Sequence, residues 1–198
     1  MPSKKYSLNF TTGGLFISES SLFANLYLEL CDWNQVRKKV IDDNLLQVRT
    51  VSSSQKISGQ ICTRLKNLAS KQLAYFPQAS EMEKGYLLWV AVCRTNLFIR
   101  EFAVEVLREN FINLRPEISH EDFDIFFNAR SQWDDDLDKI KPATRLKLRQ
   151  VLFRMMREAR LITDELKILP AVMSSDMASI ISERDGQDMY VFPIKVWD

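Results

Sequence analysis

The longest apolar helical pattern lies in the middle of the chain, over residues 80–114. Its sequence, SEMEKGYLLWVAVCRTNLFIREFAVEVLRENFINL, has apolar residues nearly all round a helix, which is typical of a helix buried on every side. Arg115 and Pro116 stop it, because proline restricts the residue before it. Its most apolar run, residues 86–93, is far shorter than the roughly 20 residues that a membrane-spanning helix needs. We therefore predict buried central helices over 81–116 and no membrane partner.

Residues 1–80 carry the pattern of three short helices. Apolar residues recur at helical spacing over 18–30, and Asp32 is placed to cap a second helix. Ser52 is predicted to cap a third helix, whose apolar stripe runs from Ile57 to Leu68. Three short helices of which the third is basic are typical of a helix-turn-helix-like module.

Residues 117–198 carry a different pattern. A helix capped by Ser119 is followed by one that begins at Pro142, a favoured first residue. Beyond it, residues 161–174 resemble a strand, a turn and a strand, and residues 189–196 resemble a final strand. This predicts a winged-helix-like module with a small β-sheet near the C-terminus. The expected fold is mainly α, with all three parts forming one compact unit.

Charge is unevenly distributed although the chain is almost neutral. Residues 1–80 carry ten basic and five acidic side chains, residues 81–140 carry seven and thirteen, and residues 141–198 carry ten and eight, which gives the net +1. From 44 to 80 there is no acidic residue. Local sign asymmetry of this kind says more about partners than the total charge does.

The segment 141–162, KPATRLKLRQVLFRMMREARLI, holds seven basic side chains and one acid, Glu158. On a helix one side collects the apolar residues Leu148, Val151, Leu152, Met155, Met156 and Ala159, and the cations occupy the remaining surface. Acidic residues placed between these cations would stabilise such a helix, so their scarcity suggests that the partner is a polyanion. The predominance of arginine favours phosphate, because the planar guanidinium binds phosphate oxygens through two hydrogen bonds. A solvated surface helix is the plain alternative. The predicted DNA contacts are Arg145, Lys147, Arg149, Arg154 and Arg157, helped by Arg49, Lys56, Arg64 and Lys66.

No catalytic, cofactor or metal site is predicted. The three cysteines are far apart and are expected to be buried free thiols of a cytoplasmic protein, and His120 is the only histidine. The TTGG stretch at 11–14 lacks the lysine of a phosphate loop. The acids at 134–138 fit a helix cap better than a metal cluster. An enzyme is therefore the weakest hypothesis, behind a protein–protein adaptor that docks an acidic partner on the basic helix.

Three stretches carry a family resemblance: TTGGLFISESSLFANLYLE, DWNQVRKKVIDDNLLQVRT and ATRLKLRQVLFRMMREARLI. Together they resemble the BrxA family of BREX bacteriophage-defence systems. The resemblance implies a mainly helical protein with winged-helix-like modules that binds double-stranded DNA, has no known enzymatic activity and works with other BREX components. Phosphate contacts alone leave RNA open as the ligand.

Overall fold

The computed structural model describes Tyr6, Leu8, Phe10, Thr11 and residues 13–195, and it is mainly helical, as predicted. The α-helices of this part of the chain are α1 (Ile17–Leu30), α2 (Trp33–Asp42), α3 (Val51–Lys66), α4 (Ser70–Tyr75), α5 (Glu81–Thr95), α6 (Leu97–Phe102), α7 (Glu109–Ile112), α8 (His120–Ser131), α9 (Asp135–Asp138), α10 (Pro142–Glu158) and α11 (Ser175–Ser182). Short 3₁₀ helices occupy Phe76–Gln78 and Gly186–Val191, and a π-helical turn, Ala103–Arg108, joins α6 to α7.

Helix α5 forms the centre of the molecule, as its sequence predicts. It begins at a capping box in which Ser80 and Glu83 satisfy each other's backbone N–H groups, and every residue from Gly85 to Cys93 is buried. Helices α1, α3, α10 and α11 all contact it. The Trp89 indole N–H donates to the carbonyl of Val191 at 2.9 Å, so the C-terminal segment is also fixed to this helix.

Helices α1, α2 and α3 pack on one another as a three-helix cluster. Asp32 caps α2 by accepting from the backbone N–H of Asn34 at 2.7 Å, which confirms the predicted cap. The predicted cap of α3 is wrong by two residues, because Thr50 rather than Ser52 is the N-cap and accepts from Ser53 N at 3.2 Å. The helix-turn-helix-like character of this cluster stays a prediction.

The predicted C-terminal β-sheet is wrong. In the described part of the chain, β pairing consists of two isolated antiparallel bridges, Glu117 with Lys167 and Ile162 with Ile168. The first three residues of the predicted last strand, 189–191, belong instead to the 3₁₀ helix Gly186–Val191, and its last residue, Val196, lies outside the described residues. Phe192, which follows this helix, packs on the Tyr86 ring of α5. Burial against α5 therefore replaces strand pairing, and no winged-helix module is confirmed.

The core forms one continuous hydrophobic cluster that takes residues from the first helix to Phe192. No helix in the described ranges has the length and apolar character required to cross a bilayer. Cys62 and Cys93 are buried as predicted, and burial raises the pKa of both thiols, whereas Cys31 is exposed. The boundaries predicted at 80 and 116 stay predictions.

Candidate nucleic-acid interface

Helix α10 has the two-sided character that its sequence predicts. Pro142 is its first residue, and Lys141 precedes it in an extended conformation. The apolar side is fully engaged in the core. The predicted members of that side are all buried, together with Phe153: Leu148, Val151, Leu152, Met155, Met156 and Ala159.

The first two arginines of α10 are held by α8. Arg145 donates to Asp124 Oδ1 at 3.0 Å and to Asn128 Oδ1 at 2.7 Å, and its guanidinium lies 4.5 Å from the centre of the Phe127 ring. Arg149 donates to the other carboxylate oxygen of Asp124 at 2.6 Å. The expectation that these cations face solvent with only Glu158 near them is wrong, because α8 supplies a second carboxylate.

The remaining cations of α10 are less constrained. Arg154 donates to Glu158 Oε1 at 2.8 Å, but its side chain is 61% exposed. Arg157 is 3.7 Å from Asp164, an exposed and weak pairing. Lys147 is exposed and forms no ion pair within the described residues. Lys147 and Arg154 are therefore the cations of this helix that an incoming phosphate reaches with least rearrangement.

Arg64 of α3 serves the interior. It is 6% exposed, and its Nη1 donates to the carbonyls of Gly14 at 2.6 Å and Leu15 at 3.1 Å. Burial lowers its pKa to about 10, with the charge of Glu158 opposing the shift, so it stays protonated at neutral pH. A phosphate contact requires an accessible guanidinium, and this one is buried against the backbone of Gly14 and Leu15.

The outer face of α3 has the opposite character. Arg49, Lys56 and Lys66 are exposed, and none of them forms an ion pair within the part of the chain that the structure describes. A groove of about 650 Å³ runs along this helix. Among the described residues its lining contains no acid and includes Leu8, Phe10, Thr11, Gln55, Lys56, Gly59, Gln60, Thr63, Arg64, Thr95 and Asn96.

Gly59 lies in the middle of this groove. A Cβ added there would meet only the Arg37 guanidinium, at 3.9 Å, so packing does not require glycine at this position. Glycine inside a helix costs about 1 kcal/mol relative to alanine. A glycine that the core does not need, beside exposed Gln55 and Lys56, leaves the helix backbone open to close approach by a ligand.

Sequence reasoning identified the cations of this face but missed the groove. The available signals were the acid-free run 44–80 and a glycine inside a helical pattern. Together they indicate a helix whose outer face carries a residue without a side chain and polar or basic residues, but no acidic ones. Elsewhere, Asp134 caps α9 as predicted, and within the described residues no group of three His, Cys, Asp or Glu side chains is placed to hold a metal ion.

Comparison with known proteins identifies the family. The model of the BrxA family matches residues 4–185, which is nearly the whole chain. The chain belongs to the BrxA family. This confirms the resemblance carried by the three quoted stretches. The match includes Gly13 and Gly14, the described lining of the α3 groove and the whole of α10.

Three curated relatives bear the name BREX protein BrxA. The protein of Bacillus cereus (strain H3081.97) is 29% identical over 126 residues, which cover 63% of this chain and 62% of that protein. The protein of Paramagnetospirillum magneticum (strain ATCC 700264 / AMB-1) is 22% identical over 94% of this chain and 95% of its own length. That of Escherichia coli O9:H4 (strain HS) is 22% identical over 88% and 83%.

A solved structure has the same fold. The crystal structure of an uncharacterized protein from Magnetospirillum magneticum superposes with a TM-score of 0.79, covering 94% of this chain and 96% of that one. Sequence identity is 22%, so the similarity concerns the fold alone.

Proposed function

We propose that this BrxA protein is a non-catalytic, double-stranded DNA-binding component of a BREX phage-defence system, acting in the cytoplasm, and that α3 carries its main DNA surface. The family supports the BREX role, since the three curated relatives are BREX proteins. The observation that carries the choice of surface is the groove along α3, whose described lining residues include no acid. Lys56 lines it, Arg49 precedes the helix and Lys66 ends it, and none of the three has a carboxylate partner among the described residues.

In this arrangement α3 lies against the duplex. Arg49, Lys56 and Lys66 contact phosphates, while Gln55 and Gln60 approach base edges beside Gly59. An exposed helix fits the major groove of B-form DNA, whereas the major groove of A-form RNA is too narrow for side chains to read. This favours DNA over RNA. Because most contacts go to phosphates, sequence specificity is expected to be weak.

Helix α10 contributes a second set of cations. Lys147 and Arg154 are accessible and add phosphate contacts, with Arg157 beside them. Arg145 and Arg149 of α10 are held by Asp124 of α8, so they support these contacts rather than bind phosphate in the resting structure. Arg64 acts by holding the carbonyls of Gly14 and Leu15.

The test is duplex binding measured by fluorescence anisotropy at several salt concentrations. With about five phosphates engaged, the slope of log K against log salt is expected near −4.5. The double variant Lys56→Glu/Lys66→Glu should lose at least about tenfold in affinity and show a shallower slope, because two phosphate contacts become repulsive.

Lys139→Glu/Lys167→Glu is the matched control for this experiment. It reverses the same number of charges at two exposed lysines outside the groove, and it should bind nearly as well as the wild type. Equal loss in the control and the groove variant would refute α3 as the surface. A slope near zero in the wild type would refute phosphate binding altogether.

A second candidate function is a protein–protein adaptor. It is favoured by a small hollow between α8 and α10 where Leu146, 44% exposed, lies beside Pro142 and the side chains of Arg145 and Arg149. Asp124 also lines the hollow and pairs with both arginines. One positive charge remains in excess beside the exposed leucine, which suits an acidic partner segment. Capture of another BREX component that survives nuclease treatment and is lost in Leu146→Asp would support this role; unchanged capture would refute this surface.

A further inference from the structure

A second basic cavity, of about 240 Å³, lies outside the α3 groove and shares no lining residue with it. Three arginines line it: Arg94 of α5, Arg100 of α6 and Arg184, which follows α11. The acidic residues in its lining are Asp185 and Asp188. Among the residues that line this cavity, cations therefore exceed carboxylates by one.

Arg94 is fully engaged in this site. Its Nε and Nη2 donate to Asp188 Oδ2 at 3.0 and 2.7 Å, and its Nη1 donates to the carbonyl of Asn67 at 2.6 Å and to Gln72 Oε1 at 2.8 Å. Asp188 is 1% exposed. Arg94 therefore donates four hydrogen bonds, and these hold the Arg94–Asp188 pair rigidly in place.

Arg100 and Arg184 are engaged far less. Arg100 donates through Nη1 to Asp188 Oδ1 at 3.0 Å, and Arg184 donates through Nη1 to the carbonyl of Asn67 at 3.2 Å. Each guanidinium has five N–H groups, so within the described residues most of theirs have no acceptor. Arg94 and Arg184 share one carbonyl acceptor, which holds two like charges close together.

We propose that this cavity binds a small phosphate-type oxyanion, either inorganic phosphate or the phosphate group of a nucleotide. Such an anion accepts from the unused N–H groups of Arg100 and Arg184, because a planar guanidinium can donate to two phosphate oxygens at once. It also relieves the repulsion between the neighbouring guanidiniums. Asp185 does not compete strongly, because one of its oxygens already caps the following 3₁₀ helix through Gln187 N at 2.9 Å.

The experiment is isothermal titration calorimetry of the full chain without DNA, at constant ionic strength, with inorganic phosphate, adenosine monophosphate and chloride. Phosphate or the nucleotide is expected to give saturable heat that chloride does not give, and the tighter of the two identifies the source of the phosphate group. Arg184→Gln should weaken this binding roughly tenfold, since it removes one charge-assisted contact.

Arg37→Gln is the matched control, because Arg37 is an exposed arginine on α2 outside this cavity that also donates to a single carbonyl. It should titrate like the wild type. No phosphate-specific heat, or equal binding by Arg184→Gln and Arg37→Gln, would overturn the proposal. Since the measurement contains no DNA, its outcome is independent of the DNA surface on α3.

Asp188→Asn supplies a second readout. Removing the carboxylate leaves the arginines without their internal anion, so the melting temperature should fall, and added phosphate should raise it by more than it does in the wild type. A purely structural role for Asp188 predicts no such anion-dependent recovery. An equal phosphate-induced rise in both proteins would therefore count against a shared site.

Discussion

The replacement Arg64→Met separates a structural arginine from a DNA-binding one. It removes two charge-assisted hydrogen bonds to the carbonyls of Gly14 and Leu15. Such bonds contribute about 1.5–3 kcal/mol each. Burial lowers the pKa of Arg64, because the protein solvates the charge less well than water does. We therefore use the lower limit of this range for each hydrogen bond. We expect the free energy of unfolding to fall by about 3 kcal/mol.

The assay is urea unfolding followed by circular dichroism, with thermal melts alongside. A loss of this size lowers the melting temperature of a chain this long by roughly 6–12 °C. Lys66→Met is the control, because Lys66 is an exposed cation of the same helix, and its unfolding free energy should change by no more than about 0.5 kcal/mol. If the unfolding free energies of the two variants differ by less than about 1 kcal/mol, Arg64 does not stabilise the fold, and the hypothesis that it contacts DNA is favoured again.

Two further predictions concern the proposed DNA surface. Gly59→Ala should stabilise the fold by about 0.5–1 kcal/mol, because the site is open and alanine favours helix. Gly59→Met should weaken duplex binding roughly tenfold without lowering the melting temperature. If Gly59→Met binds duplex DNA normally, DNA does not approach the helix backbone closely at Gly59. Asp124→Asn should free the two arginines of α10 that this carboxylate holds and steepen the salt dependence of DNA binding by about one to two; an unchanged slope would show that those arginines never reach the duplex.

The helices were predictable where periodicity and capping agreed. Asp32, Ser119 and Pro142 marked helix starts that the structure confirms, because caps depend on residues within a few positions. The wing was not predictable. Residues 189–196 combine apolar and aromatic side chains as a strand does, but whether such a run pairs or packs depends on the surface it meets. Here that surface is α5, and Val191 and Phe192 are buried against it.

The candidate site shows the same division. The face of α10 followed from helical geometry, but the partner of its arginines did not, since Asp124 is 21 residues before Arg145 and 25 before Arg149. A helical projection of one segment shows which residues share a face, but it does not show which neighbouring helix packs against that face. The cations of α3 were predicted as the weaker set, and the structure leaves Lys56 and Lys66 with fewer competing carboxylates than the arginines of α10.

The Gly14-Leu15 segment contacts both of these helices. Arg64 of α3 donates to the carbonyls of Gly14 and Leu15, and Glu158 of α10 accepts from Leu15 N at 2.5 Å. A side chain at Gly14 would displace that carboxylate, so the close packing at Gly14 is explained by contact with α10 without invoking a phosphate. Glu158 also binds Arg154. The buried arginine of α3 and, through Glu158, the accessible cation of α10 are therefore linked to one short segment, which connects the two basic helices within the fold.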